Sequence, residues 1–299
     1  MRYQAALRPD DQYCNGWASS FCDNRRTTRL VWGQTFTRRS SKYTGVAVIT
    51  TTHHPPLPWL HADQAFPDTS NGWAADTDAP GLLCAGGDLG PTRLKQAYGH
   101  GIFPWYGVDQ PILWWSPNPR MVLHVAEFQL SHSLRKTLRK FVGSSACEIR
   151  IDTAFGEVIE ACAHAERNGQ RGTWILPEMV GAYQAMHELG LAHSVETWVS
   201  GRLVGGLYCV SLGRAVFGES MFHRATDASK IALAALICFC RQHQMPLIDC
   251  QQNTGHLASL GAREMPRQSF ELQVAELATL VAPKWHFSPI YWDHLATKG

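Results

Sequence analysis

The 299-residue sequence lacks the motifs of several large enzyme classes. It contains no G-x-x-x-x-G-K-S/T phosphate loop and no G-x-S-x-G nucleophile turn, which argues against P-loop nucleotidases and α/β-hydrolases. Its histidines do not stand at metal-ligand spacing with cysteine or carboxylate residues. We therefore expect an enzyme, if it is one, to work without a metal ion and without a cofactor.

The sequence also has little net charge and no long apolar run. The 27 Lys and Arg residues nearly balance the 25 Asp and Glu residues, so a contact with nucleic acid must use a local basic patch. The longest apolar stretch, residues 231–240, is half of the roughly 20 residues that a membrane span needs. No apolar signal sequence follows Arg2. We expect a cytoplasmic monomer that does not enter a membrane.

The nine cysteines show no pairing pattern. Their number is odd, no two stand in a C-x-x-C motif, and Cys238 and Cys240 lie within the apolar run. Scattered cysteines of this kind are typical of reduced, buried side chains in a cytosolic protein.

The first 52 residues differ from the rest of the chain. They are rich in Arg, Ser and Thr and show no apolar periodicity, which predicts a disordered N-terminal extension. A transit peptide would have a similar composition, but Asp10, Asp11 and Asp23 argue against one. The following residues 53–58 (HHPPLP) form an extended linker in this interpretation.

The remaining sequence alternates helix and strand patterns. Ser131 predicts the N-cap of a helix whose outward face is basic. Residues 193–199, 203–212 and 215–222 predict three antiparallel strands, followed by a helix over 228–243 and a buried strand over 247–251. This order of elements resembles the core of the N-acetyltransferase superfamily, a likeness of fold that does not by itself fix a function.

Two predicted strands carry polar residues where apolar ones are expected. Glu219 interrupts a buried strand, and either an ion pair with Arg224 or Lys230 or a functional role would offset its cost. Asp249 and Gln251 stand two residues apart, so strand alternation predicts that they share one face. The alternative is a strand end that points to solvent.

Two aromatic segments are unusually dense. Residues 102–106 (IFPWY) and 112–117 (ILWWSP) combine aromatic rings with proline, and Trp174 follows a glycine turn. A packed wall between subdomains and a ligand-binding surface both fit this pattern.

Eight segments, in order, resemble the leucyl/phenylalanyl-tRNA–protein transferase family. They are residues 80–89 (PGLLCAGGDL), 98–117 (with GIFPW and PILWWSP), 172–175 (GTWI), 193–196 (HSVE), 218–222 (GESMF), 228–230 (ASK), 247–251 (LIDCQ) and 257–262 (LASLGA). Each segment alone is a weak signal, but together they span about residues 56–290.

The resemblance implies an α/β fold in two domains, a small N-terminal one over 53–125 and an N-acetyltransferase-like (GNAT-like) catalytic one over 126–290, with a tail over 291–299. It also implies the reaction: transfer of Leu or Phe, and of Met less well, from aminoacyl-tRNA to proteins that begin with Arg or Lys. The new N-terminus then marks the protein for N-degron degradation. The partners implied are Leu-tRNA or Phe-tRNA and an acceptor protein.

The resemblance further implies roles for single residues. Asp249 would orient Gln251, whose side-chain oxygen accepts a hydrogen bond from the attacking amine, and Glu219 would attract the acceptor N-terminus or take its proton. The aminoacyl pocket and the tRNA-binding face are larger sets. The pocket set is Trp105, Trp174, Tyr183, Leu207, Val216, Leu236 and Cys240, and the tRNA-binding set is Arg135, Lys136, Arg139 and Lys140.

Two other classes compete with this interpretation. A coenzyme A-dependent acyltransferase would need a phosphate-cradling turn after the strand 203–212, and residues 211–214 (SLGR) suit that poorly. A non-catalytic RNA- or peptide-binding module would have no use for the Asp249 and Gln251 pair. The basic helix face is also compatible with a solvated surface that binds nothing.

Overall fold

The computed structural model describes residues 56–165 and 175–296. The predictions for residues 1–52 and for Trp174 lie outside these residues, as does the end of the tail predicted over 291–299. Within the described ranges no helix is long and apolar enough to cross a membrane.

A four-stranded sheet forms the first part of the chain. Its strands are β1 (Trp59–Leu60), β2 (Leu82–Gly86), β3 (Phe103–Pro104) and β4 (Leu113–Trp115), in the order β1-β2-β4-β3. Helix α1 (Pro91–Gly99) follows β2, with proline at the first turn where its missing N–H is tolerated. The two aromatic segments thus supply strands β3 and β4 of this small sheet.

A seven-stranded sheet forms the larger part. Its strands are β5 (Arg120–His124), β6 (Cys147–Ile151), β7 (Ala192–Val199), β8 (Arg202–Leu212), β9 (Ala215–His223), β10 (Leu247–Asp249) and β11 (Arg263–Met265). The spatial order is β11-β5-β10-β9-β8-β7-β6, and every pair is antiparallel except β9 with β10. Strand β5 belongs to this sheet, although the predicted domain boundary at residue 125 places it before the catalytic domain.

Helices cover both faces of the large sheet. They are α2 (His132–Val142), α3 (Phe155–Ala163), α4 (Pro177–Glu188), α5 (Ala228–Gln242), α6 (Gly255–Ser259), α7 (Arg267–Ala278) and α8 (Asp293–Ala296). The core divides accordingly: Tyr208 and Phe217 point into the cluster that holds α3 and α4, whereas Leu207 and Val216 point into the cluster that holds α5. Alternation along β8 and β9 therefore separates an α4 face from an α5 face.

The predicted α/β fold class is confirmed. The meander β7–β9, helix α5 and strand β10 form within one residue of their predicted bounds, except that β10 ends two residues early. Ser131 accepts a hydrogen bond from the backbone N–H of Leu134, as its predicted N-cap role requires. The cysteines among the described residues are free, and all but Cys147 are buried.

Candidate active site

The parallel pair β9 and β10 separates soon after it forms. The register runs from Ile248 opposite Val216 to Asp249 opposite Phe217 and ends there. Beyond that point the side-chain Nε2 of Gln251 donates to the backbone oxygen of Gly218 at 2.9 Å. A side-chain amide thus takes the place of the next ladder hydrogen bond, which keeps a buried carbonyl satisfied where the strands part.

A β-bulge on the other side of β9 directs Glu219 out of the ladder. Tyr208 pairs with Ser220 and Cys209 pairs with Gly218, so Glu219 has no partner on β8. Its carboxylate points to the α4 face, where it accepts hydrogen bonds from the hydroxyls of Tyr98 (2.8 Å) and Tyr183 (3.3 Å). Bulges commonly re-aim a side chain beside an active site.

The Glu219 carboxyl is buried with no ion-pair partner among the described residues. Burial raises its pKa from 4.5 to about 8, while the hydrogen bond from Tyr98 opposes the shift and the charge of Asp249 adds to it. The ion pair considered with Arg224 or Lys230 does not form. Lys230 instead pairs with Asp227 at 2.7 Å, and Arg224 donates to the backbone oxygen of Leu203.

The hydroxyls that contact Glu219 form a closed triangle with it. Tyr98 and Tyr183 lie 2.6 Å apart through their oxygens, and both are fully buried. Burial raises the pKa of each phenol well above its usual value, and the nearby charge of Glu219 adds to this. Both phenols therefore stay neutral, and each has one proton to donate, either to the carboxylate or to the other phenol.

Asp249 is held very differently. Arg120 grips it with two hydrogen bonds, from Nε to Oδ1 at 2.8 Å and from Nη2 to Oδ2 at 2.6 Å. Both side chains are fully buried. Oδ1 also accepts the backbone N–H of Gln251 at 2.9 Å. A two-pronged arginine contact occupies both oxygens of a buried carboxylate and leaves it few free lone pairs.

The prediction that Asp249 and Gln251 share one strand face is wrong. Strand β10 ends at Asp249, and Gln251 has a left-handed backbone with φ of 59°. The two residues meet through a tight turn, in which the Asp249 carboxylate binds the backbone of Gln251 and not its side chain. The Gln251 side chain reaches β9 instead, with Nε2 3.5 Å from a Glu219 oxygen.

The residues of the predicted aminoacyl pocket lie on both faces of the sheet. Tyr183 is on the α4 face beside Glu219, and Trp105 is half-buried against the same core. The other four described members are packed together and buried on the α5 face. They are Leu207, Val216, Leu236 and Cys240. The structure thus gathers the apolar members and sets Tyr183 and Trp105 apart from them.

The basic helix face has the predicted shape. In α2, Leu134, Leu138 and Phe141 are buried, while Lys136, Arg139 and Lys140 are exposed and Arg135 is half-buried. None of the four basic side chains makes an ion pair with a residue in the described ranges. An array of uncommitted cations on one helix is suited to phosphate groups.

Two residues of this site were not among the sequence-predicted ones. Arg120 lies 129 positions before Asp249, and Tyr98 lies 121 positions before Glu219. An arginine that opens an apolar strand (RMVLH) was a usable signal, because a buried cation needs an anion. Tyr98 gave no such signal, since it sits at a regular apolar position of α1 with Leu94 and Ala97.

The geometry of the site is that of a group-transfer enzyme acting on an amine. The large sheet opens between two parallel strands, and at the opening stand a buried acid with a raised pKa and a side-chain amide. Such a pair is suited to an amine nucleophile, which must lose a proton as it is acylated.

Comparison with known proteins identifies the family. The model of the leucyl/phenylalanyl-tRNA protein transferase family matches residues 122–275, and the model of its N-terminal domain matches residues 87–118. The chain belongs to this family, and it is an enzyme, an aminoacyltransferase that uses aminoacyl-tRNA.

Individual relatives agree along most of the chain. It is 60% identical over 243 residues to the leucyl/phenylalanyl-tRNA–protein transferase of Albidiferax ferrireducens, covering 81% of this chain and 96% of that protein. It is 57% identical over 242 residues to the one of a Polaromonas species, covering 81% and 95%. For Methylibium petroleiphilum the identity is 58% over 239 residues, covering 79% and 90%.

Proposed function

We propose that the enzyme transfers Leu or Phe, and Met less well, from aminoacyl-tRNA to the α-amine of proteins that begin with Arg or Lys. The work takes place in the cytoplasm and marks the acceptor for N-degron degradation. One observation carries the chemical part of this proposal: Glu219 is a buried carboxyl at the opening of the sheet, with a pKa of about 8 and no described ion-pair partner.

The reaction requires the enzyme to remove a proton from the amine more than it requires activation of the carbonyl group. An aminoacyl ester already carries an activated carbonyl, so aminolysis requires a neutral amine in the correct orientation. A free α-amine has a pKa of about 7.7–8.0. The pKa of Glu219 is about 8, so the proton transfer between them is nearly balanced in free energy. A base of matched pKa is the efficient choice near neutral pH.

In the proposed step the ionised Glu219 accepts the proton that the acceptor amine loses. The nitrogen forms a bond to the ester carbonyl carbon, and the bond from that carbon to the 3′-oxygen of the tRNA breaks. The proton held by Glu219 is then returned to the leaving oxygen, which leaves Glu219 ionised and the tRNA with a free hydroxyl. No external oxidant, reductant or nucleotide is consumed.

Gln251 is the orienting residue in this proposal. Its Nε2 is engaged by the backbone of Gly218, which fixes the side-chain amide and directs its Oε1 as the acceptor for a second N–H of the amine. Asp249 is unsuited to take the proton, because the Arg120 guanidinium binds both of its oxygens. The three residues therefore have different roles. Glu219 is the base, Gln251 orients the amine, and Asp249 stabilises the turn that holds Gln251.

The donor side chain calls for an apolar pocket. We place it on the α4 face beside Glu219, where Tyr183 and Trp105 of the predicted set lie. Leu207, Val216, Leu236 and Cys240 are buried on the opposite face of the sheet and pack behind it. An apolar pocket rejects charged aminoacyl groups through their desolvation cost. A methylene-scale difference within it is worth about 1–3 kcal/mol, so pocket size sets the preference between Leu and Phe.

The tRNA body is assigned to the basic face of α2. Arg135, Lys136, Arg139 and Lys140 lie within about two turns of one helix, where they meet successive phosphates. Phosphate contacts set affinity and register without reading sequence. This arrangement suits an enzyme that selects the acylated 3′ end and accepts different tRNA bodies.

The test is transfer of labelled Leu or Phe from charged tRNA to a peptide that begins with Arg. The matched controls are the same peptide with its amine acetylated and a peptide that begins with Glu. We expect transfer only to the free basic N-terminus. Intact charged tRNA with no transfer by the folded enzyme, or transfer from an acyl-coenzyme A donor instead, would overturn the proposal.

A further inference from the structure

Arg120 connects three parts of the molecule that meet at the opening of the sheet. Its Nη1 donates to the backbone oxygen of Gly101 at 2.9 Å, and its other two donors hold Asp249. Its guanidinium lies 4.8 Å from the ring centre of Phe103 and 4.7 Å from that of Phe270. All of these hydrogen bonds and ring contacts are made by a fully buried side chain.

Three of these four partners have a counterpart in the proposed chemistry. Gly101 and Phe103 belong to the segment that continues to Trp105, which is assigned to the donor side. Asp249 fixes the left-handed turn that places Gln251 beside Glu219. The Arg120 side chain therefore sets the distance between the segment that receives the aminoacyl end and the turn that guides the amine.

We propose that Arg120 is a positioning residue, which acts through Asp249 to hold the Gln251 turn in register with the donor-binding segment. This inference rests on the proposed function. It assigns to Arg120 no contact with either substrate. A planar guanidinium suits the task because it binds a carboxylate with two bonds and stacks between two rings at once, which an ammonium group does not do.

The first test replaces Arg120 by lysine, which keeps the charge and removes the two-pronged grip. A misplacement of reacting groups by about 1 Å can cost about 100-fold in rate. We expect kcat to fall about 100-fold while KM for charged tRNA changes less than about 3-fold, because the tRNA contacts are elsewhere. The matched control is Arg93→Lys.

Arg93 is a suitable control because it is another buried arginine beside an aromatic ring, and its carboxylate partner is Asp88, at 3.9 Å, and not Asp249. It is also buried, it binds the backbone oxygens of Ala62 and Gln64, and it lies 5.2 Å from the ring of Phe66. We expect Arg93→Lys to lower Tm but to keep kcat within about 3-fold of the wild type. A folded Arg120→Lys enzyme with near-normal kcat overturns the proposal, as does an equal loss in both variants.

A double-mutant cycle covers the case in which Arg120→Lys does not fold. The variant Arg120→Gln, Asp249→Asn removes both buried charges and leaves a neutral hydrogen-bonded pair. If Arg120 acts through Asp249, this double variant transfers as slowly as Asp249→Asn alone, within about 2-fold. A further 10-fold loss would show an independent role and overturn the proposal. Failure of the wild type to transfer would instead reject the proposed function, so the two failures are distinguishable.

Discussion

Two buried carboxylates stand at the same opening of the sheet in opposite surroundings. Asp249, in the turn after β10, accepts two hydrogen bonds from Arg120 and one from the backbone. Glu219, in the bulge of β9, accepts hydrogen bonds from two neutral phenols. An adjacent cation offsets the desolvation of the first charge, whereas phenols offset the second only in part.

The comparison shows how one fold assigns different duties to two acids. A carboxylate whose two oxygens are both bound by arginine serves as a fixed anchor. A carboxyl bound by phenols gains and loses a proton near neutral pH, because burial has raised its pKa to about 8. The surroundings of each carboxyl group, and not its residue type, decide which of the two accepts and releases the proton.

The largest effect is expected from Glu219→Gln, which keeps the shape and removes the base. General bases contribute typically 10²–10⁴-fold, so we expect kcat/KM at pH 8 to fall by about that range. Initial rates of transfer to an Arg-peptide measure it.

A third buried acid supplies the control for that variant. Glu196 lies fully buried in β7 and accepts the backbone N–H groups of Thr153 (2.9 Å) and Ala154 (2.7 Å), so it shares no hydrogen-bond partner with Glu219. Glu196→Gln is expected to lower Tm and to keep kcat within a few-fold of the wild type. Similar losses of rate in Glu219→Gln and Glu196→Gln would mean that replacing any buried acid lowers activity, and would contradict a specific role of Glu219 in proton transfer.

The second prediction concerns stability against pH. Between pH 5 and pH 8 folded Glu219 holds a proton that the unfolded chain, in which this carboxyl has the ordinary glutamate pKa of 4.5, has lost. The folded state binds more protons, so the free energy of unfolding falls as pH rises through this window, by about 4 kcal/mol for three pH units. Glu219→Gln does not titrate and should lack this dependence.

Denaturant unfolding of both proteins at several pH values measures the difference. Relative to the wild type, Glu219→Gln should gain stability steadily from pH 5 to pH 8. Glu157→Gln on α3 serves as the control, because it makes the same substitution at an exposed position. A constant difference between wild type and Glu219→Gln over that window would contradict the account.

The third prediction sharpens the role of the phenols. The hydrogen bond from Tyr98 lowers the pKa of Glu219, so Tyr98→Phe should move the acid limb of the rate profile to higher pH and reduce kcat/KM about 10-fold at pH 7. Tyr183→Phe, with its longer 3.3 Å bond, should shift it less.

Tyr106→Phe is the control for both phenols. Its hydroxyl donates to Glu178 and not to Glu219. If the pH–rate profile of Tyr98→Phe superimposes on that of Tyr106→Phe, the hydrogen bond from Tyr98 does not influence the proton transfer to Glu219.

The smallest effect is expected at the basic face of α2. Lys136→Ala with Arg139→Ala should raise KM for charged tRNA several-fold and leave kcat unchanged, because phosphate contacts hold the substrate and do not react. The dependence of log KM on log salt should weaken by about 0.7–0.9 per lost contact. Lys95→Ala, an exposed lysine on α1, should change neither quantity. A fall in kcat without a change in KM would place the tRNA elsewhere.

The fold could be predicted from sequence wherever a pattern repeats locally. Leu134, Leu138 and Phe141 recur at helical spacing, and the turns at Gly201 and Gly213 separate alternating strands. The start of α3 depends on a distant residue and has no local signal. Its N-cap is Ala154, and Glu196, 42 residues further on in β7, accepts the N–H groups of the helix start.

The sequence allowed several residues of the site to be predicted, but not the contacts between them. Glu219, Asp249 and Gln251 stood out because polar residues in buried strands are costly. Strand alternation failed at Gln251 because a left-handed φ ends the strand. Arg120 and Tyr98 reach the site from more than 100 residues away, and only the folded chain brings them together.

The most direct test of the account is a carbon-13 NMR titration of the Glu219 carboxyl in the full-length enzyme, assigned by comparison with Glu219→Gln. The account predicts a midpoint near pH 8, since burial without a cation disfavours the charged form. A midpoint near 4.5, the value of an ordinary glutamate, would mean that Glu219 is a permanent anion and would contradict its role as the proton acceptor.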